Sequence, residues 1–130
     1  MTLNTDVAPT ILSVAGIAPS AFMQGRDLSP LTRGGSPAWR RDFYYSHLFK
    51  HNSIPKSEGV RNGRFKYIRY IESDPLYEEL YDLHDDPLEE ENLARGGGHA
   101  SQLGIMRGRW KSWRAAVEGW RPGTEWREPG

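Results

Sequence analysis

The feature that most limits how this chain can fold is Asn62-Gly63, set between Gly59-Val60-Arg61 and the alternating run Arg64 to Ile71. Asn and Gly accept the positive φ angles of a two-residue type I′ turn, so the flanking runs are predicted to form a tight antiparallel hairpin. Ser73-Asp74-Pro75 makes the next turn. Tyr77 to Leu83 then returns as another strand, with Tyr77, Glu79, Tyr81 and Leu83 on one face. Upstream, Phe43, Tyr44, Tyr45, Leu48 and Phe49 suit a strand, followed by a loop from His51 to Lys56. Together these give about four antiparallel strands.

One long helix accompanies them. Across about 99–120, Leu103, Met106, Trp110, Trp113, Val117 and Trp120 alternate spacings of three and four and draw one apolar stripe. Arg107, Arg109, Lys111 and Arg114 lie off that stripe. A helix this amphipathic needs an apolar surface, and the sheet is the candidate. The expected fold class is therefore α+β: an antiparallel sheet with the C-terminal helix across one face. Two shorter helices are also predicted. One spans residues 5–15, capped by Thr5 or Asp6, with Val7, Ile11, Leu12 and Ala15 as its stripe. A single turn starts at Ser29-Pro30. Asp86-Pro87-Leu88-Glu89 reads as a helix start with a capping box. Residues 17–41 read as a long surface connection. Residues 42–120 form the main domain, and 121–130 a flexible tail.

At 130 residues, the chain supports one modest core. Its 17 basic and 17 acidic residues cancel, which argues against a general nucleic-acid binder. It has no cysteine, so disulfides, a thiolate nucleophile and cysteine-bound zinc are excluded. No apolar run approaches the roughly 20 residues of a membrane span. Met1 to Gly16 lacks the pattern of a signal peptide, so the sequence as written predicts a cytoplasmic location. A longer gene with a leader would place the protein in the periplasm or outside the cell.

Several phrases, in order, resemble the distal end of the type I sulfatases, particularly the branch related to heparan N-sulfatase and bacterial glycosaminoglycan or polysaccharide sulfatases. Asp6-Val7-Ala8-Pro9-Thr10 with Gly16 is similar to the family's Asp-x-x-Pro-Thr helix, and Gln24-Gly25-Arg26-Asp27-Leu28 to the phrase that follows it. Trp39-Arg40, Phe43-Tyr44-Tyr45, Val60-Arg61, Lys66-Tyr67-Ile68, Glu79-Leu80-Tyr81-Asp82-Leu83 and Asp86-Pro87 through Asn92-Leu93 complete the set. The resemblance covers roughly residues 5–118.

It implies hydrolysis of sulfate esters or sulfamates by a formylglycine nucleophile with a calcium ion, both held in a large N-terminal catalytic domain. This chain departs from the family there. It has no Cys, and in Ser29-Pro30-Leu31-Thr32-Arg33 and Ser36-Pro37-Ala38-Trp39-Arg40 the Pro stands one residue too early for the Cys/Ser-x-Pro-x-Arg motif. The implied role is that of a C-terminal part, not catalytic alone, which completes the substrate cleft and stabilises an N-terminal sulfatase catalytic domain, in cis or as a separate chain. Within that role His47, His51 and Lys56 are expected to meet a sulfated carbohydrate through charge-assisted hydrogen bonds, with Arg61 of the basic hairpin beside them. No catalytic residue, metal ligand, nucleic acid or membrane is assigned to the chain. Two alternatives remain at this point: a standalone module for sulfated or anionic glycans, and a truncated relic. Without a catalytic partner, the helix at 5–15 and the segment 17–41 are expected to be loosely held.

Overall fold

A computed structural model describes residues 1–35, 37–49, 53–121 and 124–130. The chain divides into two compact units, Met1–Arg40 with Ala116–Gly130, and Arg41–Ala115.

The larger unit is the predicted α+β layer pair. Strands β1 (Asp42–His47), β2 (Ser57–Asn62), β3 (Phe65–Tyr70) and β4 (Tyr77–Asp82) form an antiparallel sheet in the order β1-β2-β3-β4. The register sets Tyr44 opposite Val60, Val60 opposite Tyr67, and Tyr67 opposite Leu80. Helix α3 (Ala100–Gly119) lies over that row. Val60, Tyr67, Leu80 and Met106 are fully buried, and Leu103, Trp110 and Trp113 nearly so. Each such aliphatic or aromatic side chain contributes about 1.5–3 kcal/mol by leaving water. The outer part of the stripe, Val117, remains 39% exposed.

The layer is also held by charge, which the apolar pattern did not announce. Asp42, Glu58 and Glu78 stand on the helix-facing side of the sheet and are all buried. The arginines that flank the apolar stripe reach down to them. Arg109 grips Asp42 through Nε and Nη2 at 2.6 and 2.8 Å, and Arg107 grips Glu78. Arg114 lies 3.7 Å from Glu58. The indole N–H groups join in, Trp110 donating to Glu58 at 3.1 Å and Trp113 to Asp42 at 2.6 Å. The guanidinium groups of Arg69 and Arg114 both lie over the Trp110 ring, at 4.9 and 5.5 Å. Tyr67 donates its hydroxyl to Glu78, so this acid has partners from both layers.

The hairpin forms where expected, but its turn differs in type. Neither Asn62 nor Gly63 takes a positive φ, so the turn is not type I′. Instead the Asn62 side-chain oxygen accepts the backbone N–H of Arg64 (2.8 Å) and Phe65 (2.6 Å), closing the loop by an Asx bond. The helix expected at Asp86 is also absent. Asp86 does act as a cap, accepting the N–H of Glu90 and Glu91 at 3.0 and 2.9 Å, but Glu89 adopts φ 59°, which ends any right-handed helix at once. The segment then runs beside β4. Asn92 accepts from Leu80 N and donates to the Glu78 carbonyl, and Leu93 N donates to the Leu80 carbonyl at 2.8 Å.

In the smaller unit a 3-10 turn (Asn4–Asp6) leads into α1 (Val7–Val14), and α2 (Ser29–Thr32) is the predicted single turn. Asp6 does not cap α1 through its side chain. It is fully buried and accepts the N–H of Leu3 (2.7 Å) and Arg26 (2.8 Å), and Arg40 through Nη1 (2.5 Å) and Nη2 (2.7 Å). Thr10 donates to the Asp6 carbonyl and accepts Leu28 N. Gly25 abuts the Thr5 carbonyl so closely that a Cβ there would collide with it. The phrases Asp6-x-x-Pro9-Thr10, Gly25-Arg26-Asp27-Leu28 and Trp39-Arg40 thus interlock as one buried polar joint. Residues 121–130, expected as a flexible tail, carry partners in this unit: Trp126 N donates to the Ala21 carbonyl (3.2 Å), and Glu128 pairs with Arg26 and Arg40.

With Asp6 and Pro9 turned inward, an apolar row of α1 turns outward: of the expected stripe Val7 and Ile11 are 52% and 62% exposed and Leu12 is half-buried, and Val14 beside them is 73% exposed.

Candidate functional site

The sequence singles out His47, His51, Lys56 and Arg61, and the structure distributes them. His47 closes β1 and sits opposite Ser57, the first residue of β2. Lys56 immediately precedes that residue, so His47 and Lys56 share one end of the sheet. The His47 ring lies 6.1 Å from that of Phe49, and its Nε2 is buried without a hydrogen-bond partner among the described residues. Such an atom usually has a partner in a native structure, so its isolation needs an explanation. Lys56 is engaged, its Nζ lying 2.6 Å from Glu72. Arg61 sits opposite Phe43, four residues further along β2, about 13 Å away at the rise of a strand. It is exposed and has no ion pair among the described residues. His51 lies outside the described residues.

The other hairpin cations are neutralised. Arg64 chelates Asp82 at 2.6–2.9 Å and also meets Asp85. Lys66 meets Glu89, and Arg69 meets Glu78. The Arg64 guanidinium beside Asp82 holds that carboxyl below its usual range. For Glu78, burial works upward, but the Arg107 guanidinium and the Tyr67 hydroxyl outweigh it and hold the carboxyl below its ordinary value. These acids are fixed, charged structural partners and not proton-transfer groups poised near neutrality.

The face of the sheet opposite α3 carries the row Tyr77, Glu79 and Tyr81 that the alternation of β4 predicts, together with groups from β1 and β3. Phe43, Tyr45 and His47 on β1, Ile68 and Tyr70 on β3, and Tyr77, Glu79 and Tyr81 on β4 share it, because alternate residues of each strand point to one side. The Tyr45 ring crosses Gly59, where a Cβ would collide with the ring and with the Tyr67 carbonyl. The Tyr70 and Tyr77 rings meet at 5.1 Å, tilted by 49°, and Arg95 lies over Tyr77. Burial, then the nearby Glu79, push the phenols of Tyr70 and Tyr81 up to about 12. The alternation of Tyr77, Glu79 and Tyr81 along β4 was readable; Tyr67, on the other side of the sheet, packs against Trp110.

The residues present do not fit a formylglycine–calcium centre. The chain has no Cys. Among the described residues no group of His, Asp and Glu is arranged to hold a metal ion, and His84-Asp85-Asp86 is spent on internal bonds. No described helix is long and apolar enough to cross a membrane.

Residues 1–114 match the family model described as N-sulphoglucosamine sulphohydrolase, C-terminal. Among curated relatives, the chain is 33% identical over 99 residues to an N-acetylglucosamine-6-O-sulfatase of Bacteroides thetaiotaomicron, covering 72% of this chain and 17% of the relative. It is 36% identical to a Δ4,5-hexuronate-2-O-sulfatase of the same organism, covering 69% of this chain and 19% of the relative. The chain thus spans about a fifth of the length of these relatives. Among solved structures, one in complex with its substrate D-glucosamine-2-N,6-O-disulfate superposes with a TM-score of 0.75 at 28% identity, over 90% of this chain and 24% of the other. A phosphonate monoester hydrolase of Agrobacterium radiobacter superposes with a TM-score of 0.67 at 27% identity, over 85% of this chain and 24% of the other.

Proposed function

Since the chain belongs to the family of N-sulphoglucosamine sulphohydrolase C-terminal domains, we propose that it works as the C-terminal part of a sulfatase, docking on a catalytic domain and completing its substrate cleft. The observation that carries this reading is the outward stripe of α1. Val7, Ile11 and Val14 are more than half exposed, in a chain that spans 17–19% of relatives that act on sulfated sugars. Apolar stripes of this kind belong against another protein surface. The catalytic domain supplies that surface.

At the cleft, His47, Lys56 and Arg61, with His51 in the undescribed stretch, meet a sulfated sugar. Cationic N–H donors are the groups that sulfate oxygens select. Arg61 brings an unpaired charge, and the buried Nε2 of His47 lacks a partner that a bound group would provide. A self-sufficient glycan module is less well supported, because Arg64, Lys66 and Arg69 are already paired with acids.

The test is sulfate-ester and sulfamate turnover, with calcium, by the purified chain alone and mixed with the catalytic half of a related sulfatase. No turnover alone and a gain on mixing is the expected result. Turnover by the chain alone, or a mixture no more active than the catalytic half, refutes the proposal.

A further inference from the structure

We infer that the C-terminal tail, from Trp120 onward, is an intramolecular clasp that folds back on the N-terminal unit and holds residues 21–40 in place before any partner is met. The family model matches residues 1–114, so the tail lies beyond the part of the chain that the family relationship covers. Such a clasp stands or falls independently of the function proposed above.

The tail has the pattern of an extended strap lying on a surface. Trp126 and Glu128 are half-buried, whereas Glu125 and Arg127, which alternate with them, are exposed. An extended segment shows this alternation when one of its sides rests on protein. The outward residues meet each other, Arg127 Nη2 lying 2.7 Å from Glu125. The inward residues meet distant parts of the chain. Trp120, just past α3, donates its indole N–H to the Thr124 carbonyl at 3.1 Å, and its ring meets that of Trp126 edge to face at 6.5 Å. Trp126 N then donates to the Ala21 carbonyl at 3.2 Å.

Glu128 closes the clasp by matching a charge. The guanidinium groups of Arg26 and Arg40 lie over one ring, that of Trp39, at 5.7 and 5.2 Å. Like charges gathered on one ring repel each other unless acids stand beside them. Asp6 takes both Nη groups of Arg40 and so matches one of the charges. Glu128 matches the other, lying 2.5 Å from Arg26 Nη2 and 3.4 Å from Arg40 Nε. Its side chain is 16% exposed, so solvent ions screen this contact less than they would a surface pair.

The segment held in this way has little else to order it. Residues 17–22 are exposed and belong to no helix or strand. A connection of that kind opens readily unless a distant group pins it. The tail pins it at Ala21 and again at Arg26. Arg26 N and Leu28 N in turn donate to Asp6 and Thr10, so the pinned connection stays joined to the start of α1. In the role proposed above, α1 is thereby presented ready-made to the catalytic domain.

The experiment is amide hydrogen exchange of the full chain, compared with a Trp126→Ala, Glu128→Ala double variant and with a chain ending at Trp120. The Arg26 and Leu28 amides should exchange about tenfold faster or more in both. The Leu80 and Leu93 amides, which are bonded within the other unit, should keep the parent's rate. Arg127→Ala changes an outward residue and should alter neither pair. Unchanged exchange at Arg26 and Leu28 in the double variant overturns the inference, and so does an equal acceleration by Arg127→Ala. Acceleration that extends to Leu80 and Leu93 overturns it as well, since the tail would then support the whole fold. Exchange is read on the free chain and the proposed function on turnover after mixing, so either can fail while the other stands.

Discussion

Replacing Asp6 with Ala should cost about 3–5 kcal/mol, the price of breaking a buried ion pair from one side. The side chains of Asp6 and Arg40 are 0% and 1% exposed. Without the carboxylate, Arg40 keeps Glu128, 3.4 Å from its Nε, and the Trp39 ring, and the N–H groups of Leu3 and Arg26 lose their acceptor. Domains of this size are stable by about 5–15 kcal/mol, so the loss is a large fraction of the whole. For a chain of this length it lowers the melting midpoint by about 10–20 °C. Calorimetry gives the midpoint, and amide exchange at Leu3 and Arg26 reports the joint directly. Asp6→Leu combined with Arg40→Met should recover most of the loss, because the apolar pair leaves no buried charge unmatched. The reasoning fails if Asp6→Ala costs under about 1 kcal/mol, the value of a solvated surface pair, or if those amides exchange as in the parent. Fast exchange in the parent itself would instead bear out a loosely held N-terminal segment.

Acid should loosen the same joint. Burial pushes the Asp6 carboxyl up, but Arg40 and the backbone N–H donors outweigh it, so its pKa lies below 3.8. Its stabilisation is complete above that ordinary value and is lost as pH falls through the depressed native one. Chemical denaturation at successive pH values should therefore show Asp6→Ala to be less acid-sensitive than the parent. Trp110→Ala should cost about 3–5 kcal/mol by urea unfolding, through a cavity beneath α3 and the loss of the indole N–H that Glu58 accepts. Gly59→Ala should cost about 1–3 kcal/mol, because a Cβ there would collide with the Tyr67 carbonyl and the Tyr45 ring. In a spectrophotometric alkaline titration, Tyr70 and Tyr81 should ionise near 12, after phenols with the ordinary value of 10; ionisation of every phenol near 10 would refute the described packing.

The elements legible in the sequence were those set by local rules. Period-two alternation placed the strands, and the three-four spacing of Leu103 to Trp113 placed the helix and its buried face. What escaped depended on residues far apart in the chain. Asn62 closes its turn by a side-chain bond that competes with the type I′ conformation its dipeptide favours. Asp86 caps a turn that Glu89 terminates, because Asn92 and Leu93 gain more by running along β4 than by coiling. Asp6 has the spacing of a helix cap and the burial of an ion-pair partner, and only Arg40, 34 residues away, distinguishes the two. The site was less legible still. His47 and Lys56 come together because β1 and β2 pair in antiparallel register, whereas that same register carries Arg61 away from them.

The segment at Asn92 and Leu93 has a consequence for how the protein behaves in a crowded solution. An open sheet edge offers a row of unpaired amides and carbonyls on which foreign strands can grow. Along β4, Leu80 has both its N–H and its carbonyl occupied and Glu78 its carbonyl, so the template is blocked over the middle of that edge. Strand addition along β4 is thereby disfavoured.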